Sequence, residues 1–315
     1  MKNTNKTEIR EFILLSLGDT SVIRIAFFLI FLGIYVLTVI GNVLIIVLIG
    51  SSPNLQTPMY FFLIHLATLE IFYVSVTVPK LLENFISEER SISFAGCITQ
   101  LFFFGFLGST ECFLLALMAV DRYFAICLPL RYHTIMNNRM CFQLVIASWA
   151  CGFLSTLLSI SLISSLQFCG FNRIQHFFCD ISPLLQLACA DPRNAETVIF
   201  LVASFILLSS SLVTILSYIW IIATIVKIPS SSGRKKAFST CASHLSVVVI
   251  YYGTMIFVYV RPTTSQSIDF TKVISVLYTV VTPLLNPFIY TLRNKEVKQA
   301  LMKCISRYCL LSTTL

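Results

Sequence analysis

The chain has 315 residues, of which 57% are hydrophobic and 11% charged, and its formal net charge is +8. A soluble domain usually carries about 25% charged residues, so this composition and a mean hydropathy of +0.87 exclude a water-soluble protein and indicate a polytopic membrane protein. The basic residues do not gather on a soluble domain, so the positive charge gives little support to a nucleic-acid partner.

The first 22 residues are polar and lack the apolar core of a cleaved signal peptide. Asn5-Lys6-Thr7 is the single glycosylation sequon of the chain, and Asn5 is therefore a candidate glycosylation site if this end is extracellular. We assign residues 1–22 to an extracellular N-terminal segment, with the first apolar segment serving as the insertion signal.

Seven apolar segments follow, each long enough, or extendable far enough, to cross a hydrocarbon core of ~30 Å as a helix. They span residues 25–49, 59–78, 98–120, 142–166, 198–226, 245–260 and 273–292. The predicted fold is all-α: one bundle of seven transmembrane helices over residues 23–292, without a separate soluble domain.

Residues 293–315 predict a short amphipathic helix followed by a cytoplasmic tail. Apolar residues recur there at helical spacing, flanked by basic ones: Val297, Ala300, Leu301, Cys304, Ile305 and Tyr308, with Lys295, Lys298, Lys303 and Arg307. Such a helix lies on the inner leaflet, so membrane lipids are expected partners. Acylation of Cys304 or Cys309 and free thiols are equally good interpretations of these two cysteines.

Basic residues predict the orientation in the membrane. With the N-terminus outside, the inner loops and tail contain twelve of the 22 basic residues but only two acids, Asp121 and Glu296. Acids and bases balance on the outer side. We therefore predict a multi-pass plasma-membrane protein with an extracellular N-terminus and a cytoplasmic C-terminus.

Four of the eleven cysteines fall on the oxidising side, and four cysteines allow three pairings. Cys97, at the outer end of the third segment, can anchor the long outer loop through Cys179. Cys169 and Cys189 would then close a second ring within that loop. The cysteines within the membrane or on the inner side are expected to be small apolar packing residues.

Five sequence blocks lie in a characteristic order: Gly41-Asn42, Pro58-Met-Tyr-Phe-Phe-Leu63, Met118-Ala-Val-Asp-Arg-Tyr-Phe-Ala-Ile-Cys127, Lys236-Ala-Phe-Ser-Thr-Cys-Ala-Ser-His-Leu245 and Pro283-Leu-Leu-Asn-Pro-Phe-Ile-Tyr-Thr-Leu-Arg-Asn294. In these blocks the chain resembles the olfactory receptors of tetrapod type, within the rhodopsin-like G-protein-coupled receptors. Two departures are Val120, where Tyr is more usual, and Glu70, where the family usually carries Asp. The resemblance implies an odorant receptor that activates a heterotrimeric G protein of the stimulatory or olfactory type and raises cyclic AMP.

Asp121 and Arg122 place an ion pair at the cytoplasmic end of the third segment, where a G-protein helix can dock. Pro287 removes a backbone hydrogen bond and permits a kink that can redirect Tyr290 on activation. The predicted coupling and switch residues are Asp121, Arg122, Tyr123, Tyr218, His244, Asn286, Pro287 and Tyr290. The alternatives are a basic residue that snorkels at a helix end and a proline kink without a signalling role.

Glu70 and Glu111 are ionisable residues inside the bilayer, where such residues are costly and usually functional. The corresponding acids of the resembled family are similar to a sodium-binding pair. With Asn42 and Asn286 these two carboxylates could hold a sodium ion, the single cofactor considered. The alternative is that one or both acids are protonated and only hydrogen-bonded.

A ligand pocket is expected between the helices, lined by apolar groups with a few polar ones. By position in the resembled family, the lining residues are Phe104, Gly105, Gly108, Ser109, Val202, Ala203, Ile206, Tyr252, Met255, Ile256, Tyr259 and Thr279. Residues 101–110 contain no acid to pair with an amine, and residues 273–292 contain no lysine for a retinal Schiff base. The expected ligand is a small, neutral organic molecule.

Three alternatives come from other protein classes or from the same fold. A transporter or channel could use Glu70 and Glu111 as an ion path, but the inverted repeats or paired broken helices typical of transporters are missing. An integral-membrane enzyme would need catalytic residues, and the four histidines are scattered without a recognised motif. A rhodopsin-like receptor for another small molecule, outside olfaction, is the strongest alternative.

Overall fold

A computed structural model describes residues 9–15, 20–169, 172–259, 273–293, 297–302 and 306. Its long helices are α1 (Ser21–Ser51), α2 (Pro58–Ile86), α3 (Phe94–Cys127), α5 (Asn138–Ser164), α7 (Arg193–Val226) and α8 (Ser231–Tyr259). The helix α9 (Thr282–Arg293) follows a π-helical turn, Leu277–Val281. The connections contain a 3₁₀ turn (Pro53–Leu55) and two short helices, α4 (Pro129–Ile135) and α6 (Ile181–Leu185).

The predicted bundle of seven transmembrane helices is confirmed. Among the described residues, α1, α2, α3, α5 and α7 are each long and apolar enough to cross a membrane. Shorter apolar helical stretches, His244–Val258 and Val273–Ile289, lie in the two remaining predicted segments. Large apolar side chains such as Phe205 and Trp220 on α7 are exposed outward, where lipid rather than water would meet them.

Several helices extend beyond the apolar runs that predicted them, because capping residues rather than hydropathy determine where a helix begins. The Ser93 hydroxyl accepts a hydrogen bond from the backbone N–H of Gly96 at 3.0 Å and caps α3. The Asn137 side chain accepts one from the N–H of Met140 at 2.9 Å and caps α5. Each cap satisfies an N–H that the first helical turn leaves without a partner.

Helix α3 is the centre of the bundle. Of its most apolar window 61% is buried, against 28% for α1, and it packs against α2, α5, α7 and α8. Gly152 of α5 lies directly against the backbone of α3. A Cβ atom added there would lie 3.0 Å from the carbonyl oxygen of Phe106 and 3.1 Å from the backbone nitrogen of Thr110. Small residues at such crossings let backbones pack tightly in membranes.

Replacing Gly152 by alanine is expected to push α5 away from α3, because backbone atoms cannot yield as a flexible side chain can. Overpacking of this kind costs about 1–3 kcal/mol. The measurement is the thermal unfolding temperature of the detergent-solubilised receptor. Gly253→Ala on α8 is the matched control, since no heavy atom lies within 4 Å of the Cβ added there. Equal stability of the two variants would contradict the close packing of α3 and α5.

The end of the bundle where α3 begins carries a small β-sheet that was not predicted. Strand β1 (Glu11–Leu14) pairs antiparallel with β2 (Ser91–Ser93) and parallel with β3 (Arg173–Ile174). Phe12 and Leu14 point inward and are almost fully buried. They pack in an apolar cluster with residues of α3, α5 and the long loop between α5 and α7. The N-terminal segment therefore holds together the two loops that carry β2 and β3.

Residues 297–302 are helical and Val297 is buried, in keeping with an apolar face toward the bundle. Cys304, Ile305, Tyr308 and Cys309 lie outside the described residues, as does the candidate glycosylation site Asn5.

Candidate functional site

A cavity of about 100 Å³ lies between α3, α5 and α7, with α2 and α8 closing it. It is much smaller than the ~300–1,000 Å³ that is typical of drug-sized ligand sites. Its walls carry no charged side chain. Tyr73 of α2 stacks on Phe104 of α3 with ring centroids 5.2 Å apart, and both rings line the cavity.

Most of the predicted lining residues meet at this cavity. Helix α3 contributes Phe104, Gly105, Gly108 and Ser109; α7 contributes Val202, Ala203 and Ile206; and α8 contributes Met255. An added Cβ at Gly108 would have only ordinary contacts, of 3.8–4.0 Å, with Tyr73 and Met255. The glycine therefore leaves space that a ligand or a larger side chain can occupy.

The structure does not bring three predicted lining residues to the cavity. The hydroxyl of Tyr252 donates to the carbonyl oxygen of Cys112 at 2.9 Å, inside the α3–α8 contact. Ile256 is 36% exposed on the outside of α8. Thr279 is buried in the π-helical turn and donates to the carbonyl oxygen of Ser275 at 2.5 Å. The side chain of Tyr259 lies outside the described part of the chain.

Helix α5 supplies lining residues that were missed in the sequence prediction, namely Ser155, Thr156, Ser159 and Ile160. A local signal was present, because the small or apolar residues at positions 141, 145, 148, 152, 156, 160 and 163 recur at three- or four-residue spacing, and these are the buried positions of α5. Ser155 and Ser159 lie beside this stripe and are partly buried. Hydropathy could not show that this stripe faces α3 and α7.

The long outer loop forms the roof of the cavity and is bonded to α3. A disulfide joins Cys97 to Cys179 with their Cα atoms 5.5 Å apart, and a second joins Cys169 to Cys189. These are the two pairs that the sequence analysis favoured. The side chain of Gln100 adds a polar bridge, because its oxygen accepts from the N–H of Cys179 at 2.9 Å while its NH₂ donates to Val76.

Asp180, next to this disulfide, is buried in the roof and begins α6, whose Ile181 lines the cavity. Its carboxylate accepts a hydrogen bond from the N–H of Ile181 at 2.7 Å. Burial raises the pKa of Asp180 from 3.8 to about 6, and this hydrogen bond opposes the shift only in part. The ionised form is therefore less stable in the folded loop than in water.

This raised pKa predicts that the folded roof loses stability as the pH rises from about 4 to about 6. Below that range Asp180 is protonated in both the folded and the unfolded state, and above it the buried charge costs at most roughly 3 kcal/mol. Thermal unfolding at pH 4–7 would measure the effect. Asp180→Asn should weaken the pH dependence in this range, because the amide does not ionise and its oxygen can still accept from Ile181.

Asp191→Asn is the control for this experiment. Asp191 is exposed, and its hydrogen bonds with Arg193 hold the pKa of the carboxyl below its ordinary value. Its titration therefore falls below the range of interest. The interpretation of Asp180 is wrong if Asp180→Asn and Asp191→Asn leave the same pH dependence between pH 4 and 6.

At the other end of α3, Asp121 is fully buried and bonds to Arg122 with a nitrogen–oxygen distance of 2.7 Å. A second partner was not predicted: the hydroxyl of Tyr132, on α4, donates to the other carboxylate oxygen at 2.7 Å. Burial, and next the charge of Asp121, raise the pKa of Tyr132, so the phenol stays protonated and able to donate. Asp121 thus links α3 to the short helix α4.

The other predicted switch residues lie on neighbouring helices. The hydroxyl of Tyr218 on α7 is 2.7 Å from Nδ1 of His244 on α8. Tyr123 packs against the same apolar cluster as Tyr218. Pro287 lies within α9 and faces Gly41 of α1. The side chain of Tyr290 lies outside the described residues.

Glu70, Glu111 and Asn286 are buried in the middle of the bundle. The amide of Asn286 donates to one oxygen of Glu70, and Asn42 donates to the backbone of its own helix. Within the described residues, Oε2 of Glu70, Oε1 of Glu111 and Oδ1 of Asn286 have no hydrogen-bond partner. Such unpaired oxygen atoms fit the ligand preference of a hard cation such as sodium.

A family model described as "Olfactory receptor" matches residues 31–308. "Olfactory receptor 6F1" of Homo sapiens is 50% identical over 303 residues, covering 96% of this chain and 98% of the relative. "Olfactory receptor 287" of Rattus norvegicus is 53% identical over 294 residues, covering 93% and 94% respectively. "Olfactory receptor 6B1" of Homo sapiens is 52% identical over 309 residues, covering 98% of both chains.

Proposed function

This chain belongs to the olfactory receptor family, and we propose that it binds a small neutral odorant in the cavity between α3, α5 and α7. The observation that carries the proposal is the uncharged lining of a cavity of about 100 Å³. An ion buried there without a partner would cost several kcal/mol, whereas a small apolar molecule would gain dispersion and hydrophobic free energy. The ligand class is therefore a small, volatile or semi-volatile organic molecule.

Signal transfer is proposed to run along α3 to the Asp121–Arg122 pair. Arg122 is 13 residues beyond Ser109, or about 20 Å along the helix axis. Odorant binding would shift an equilibrium toward a state in which Arg122 leaves Asp121 and contacts the terminal helix of a G protein. We propose a G protein of the stimulatory or olfactory type, with cyclic AMP as the second messenger.

This function requires the orientation that the basic residues predict. Asp121 and Arg122 must face the cytoplasm, and the disulfide-bonded roof must face the oxidising exterior. We therefore propose a plasma-membrane receptor with its N-terminus outside and its C-terminus inside. A sodium ion held by Glu70, Glu111 and Asn286 belongs to the same proposal, supported by their unpaired oxygen atoms.

Filling the cavity tests the binding site. Gly108→Leu places a branched side chain in the space between Tyr73 and Met255, so the odorant response is expected to fall by at least tenfold. The measurement is the concentration dependence of cyclic AMP accumulation in cells, normalised to receptor density at the surface.

Gly253→Leu is the matched control, because its added side chain points into open space on an exposed part of α8. It should keep both surface density and response. Unchanged responses of Gly108→Leu to every active odorant, at equal surface density, would place the ligand elsewhere and overturn the proposed site.

A further inference from the structure

The cavity wall on α5 carries three hydroxyl groups, those of Ser155, Thr156 and Ser159. Ser155 and Ser159 lie about one helical turn apart, with Thr156 beside them, so all three share one face of the helix. We define this set as the α5 hydroxyl subsite.

Two groups of the α5 hydroxyl subsite already use their only proton. The Ser155 hydroxyl donates to the carbonyl oxygen of Gly152 at 3.0 Å, and the Ser159 hydroxyl donates to that of Ser155 at 3.2 Å. A hydroxyl has one proton and two lone pairs. Toward a ligand, Ser155 and Ser159 therefore act as hydrogen-bond acceptors.

Two further hydroxyl groups of the lining keep their proton. Ser109 on α3 and Thr156 on α5 line the cavity, and neither side chain has a hydrogen-bond partner within the described residues. Both can donate to an oxygen atom of a ligand. The cavity thus offers acceptors and donors together, without a charged group.

An alcohol matches this arrangement better than a carbonyl compound or an ether. Its hydroxyl group can donate to Ser155 or Ser159 and accept from Thr156 or Ser109. A ketone, aldehyde, ester or ether has no proton to donate, so neither Ser155 nor Ser159 would receive a hydrogen bond from it, whereas an alcohol bonds to one of them; the missing bond has a cost in a water-poor site.

We propose that the α5 hydroxyl subsite recognises the hydroxyl group of a small aliphatic alcohol and makes this receptor selective for alcohols. This proposal rests on the function proposed above and adds the chemical class of the odorant. The selectivity arises because the hydroxyls of Ser155 and Ser159 already donate to backbone carbonyl oxygens of α5 and can only accept from a ligand. It therefore depends on the helical geometry of α5, which places those carbonyl oxygens within reach.

The test compares three probes of similar size: hexanol, hexanal and methyl pentyl ether, the last an isomer of hexanol without a donor. The wild-type receptor should respond to hexanol at the lowest concentration. Ser159→Ala should raise the half-maximal concentration for hexanol roughly three- to tenfold, the range expected for one neutral hydrogen bond. It should leave the weaker responses to hexanal and the ether unchanged.

Ser161→Ala is the matched control, because Ser161 also donates to a carbonyl oxygen of α5 but is exposed, away from the cavity. It should change none of the three responses. Thr156→Val, which keeps the shape of the side chain and removes its proton donor, should weaken the responses to hexanol and hexanal alike.

Three results would overturn the proposal. The first is an equal shift of all three probes in Ser159→Ala, which would mean that Ser159 only shapes the cavity. The second is a wild-type preference for hexanal or the ether over hexanol. The third is a wild-type receptor that ignores hexanol but responds to other odorants through a Gly108-dependent site, which would leave the proposed function standing. If no odorant response depends on Gly108, the proposed function itself fails.

Discussion

Replacing Arg122 by alanine is expected to abolish activation of the G protein while leaving surface density and odorant binding largely intact. Arg122 is held by Asp121 at 2.7 Å, and its side chain is still 13% exposed. The variant removes the cation proposed to contact the G protein. Asp121 keeps the hydrogen bond from Tyr132 at 2.7 Å, so the inner end of α3 remains attached to α4.

The measurement is ligand-stimulated cyclic AMP at matched surface density, with odorant binding determined separately. We expect the signal to fall by at least tenfold, since losing a charged partner at an interface costs about 2–5 kcal/mol. Asp121→Asn is the informative counterpart, because it releases Arg122 yet can retain the Tyr132 contact; its basal signal should rise. Normal signalling by Arg122→Ala would contradict the assignment of this pair as the switch.

Breaking the Cys97–Cys179 disulfide should have the largest effect on folding. The bond joins residues 82 positions apart and is fully buried, so it restrains a large part of the unfolded chain. Loss of such a bond costs about 2–5 kcal/mol. Cys97→Ser is therefore expected to remove most of the receptor from the cell surface and, with it, the odorant response.

Three further variants distinguish the effect of losing the disulfide bond from the effect of changing a single cysteine side chain. Cys179→Ser should match Cys97→Ser, and the double variant should be no worse than either, because the two residues act as one unit. Cys151→Ser, at an exposed free cysteine of α5, should behave as the wild type. Mass mapping that found Cys97 and Cys179 as free thiols in the surface receptor would refute the pairing.

The Cys169–Cys189 bond closes a smaller ring of 20 positions, and its removal should cost less.

The membrane class and the number of helices were determined by the sequence alone. A continuous apolar segment of sufficient length is stable across a bilayer as a helix, because all its backbone hydrogen bonds form within the segment itself. The seven segments could therefore be located without knowing what any helix touches. Helix ends were less accurate: α3 continues through Asp121 and Arg122 to Cys127, because the buried acid is paired with a cation and a phenol.

The four-residue strand Glu11–Leu14 illustrates what hydropathy could not show. Its partners lie about 80 and 160 residues away, in two different outer loops, and so short a segment has little pattern of its own. The pairing exists because Phe12 and Leu14 are buried under the long loop. Such a contact depends on several distant segments being in place at once.

In the candidate site, too, some residues were predicted from the sequence and others were found only in the tertiary structure. Phe104, Gly108 and Met255 were predicted by position in the resembled family and do meet at the cavity, whereas Ile256 is exposed on the outside of α8. The α5 hydroxyl subsite and the bond from Tyr132 to Asp121 were decided by tertiary structure alone. Sequence periodicity shows which residues share a helix face, but packing determines which way each helix is rotated in the bundle. Small residues such as Gly152 let α5 pack closely against α3 and so determine which face of α5 is turned toward it.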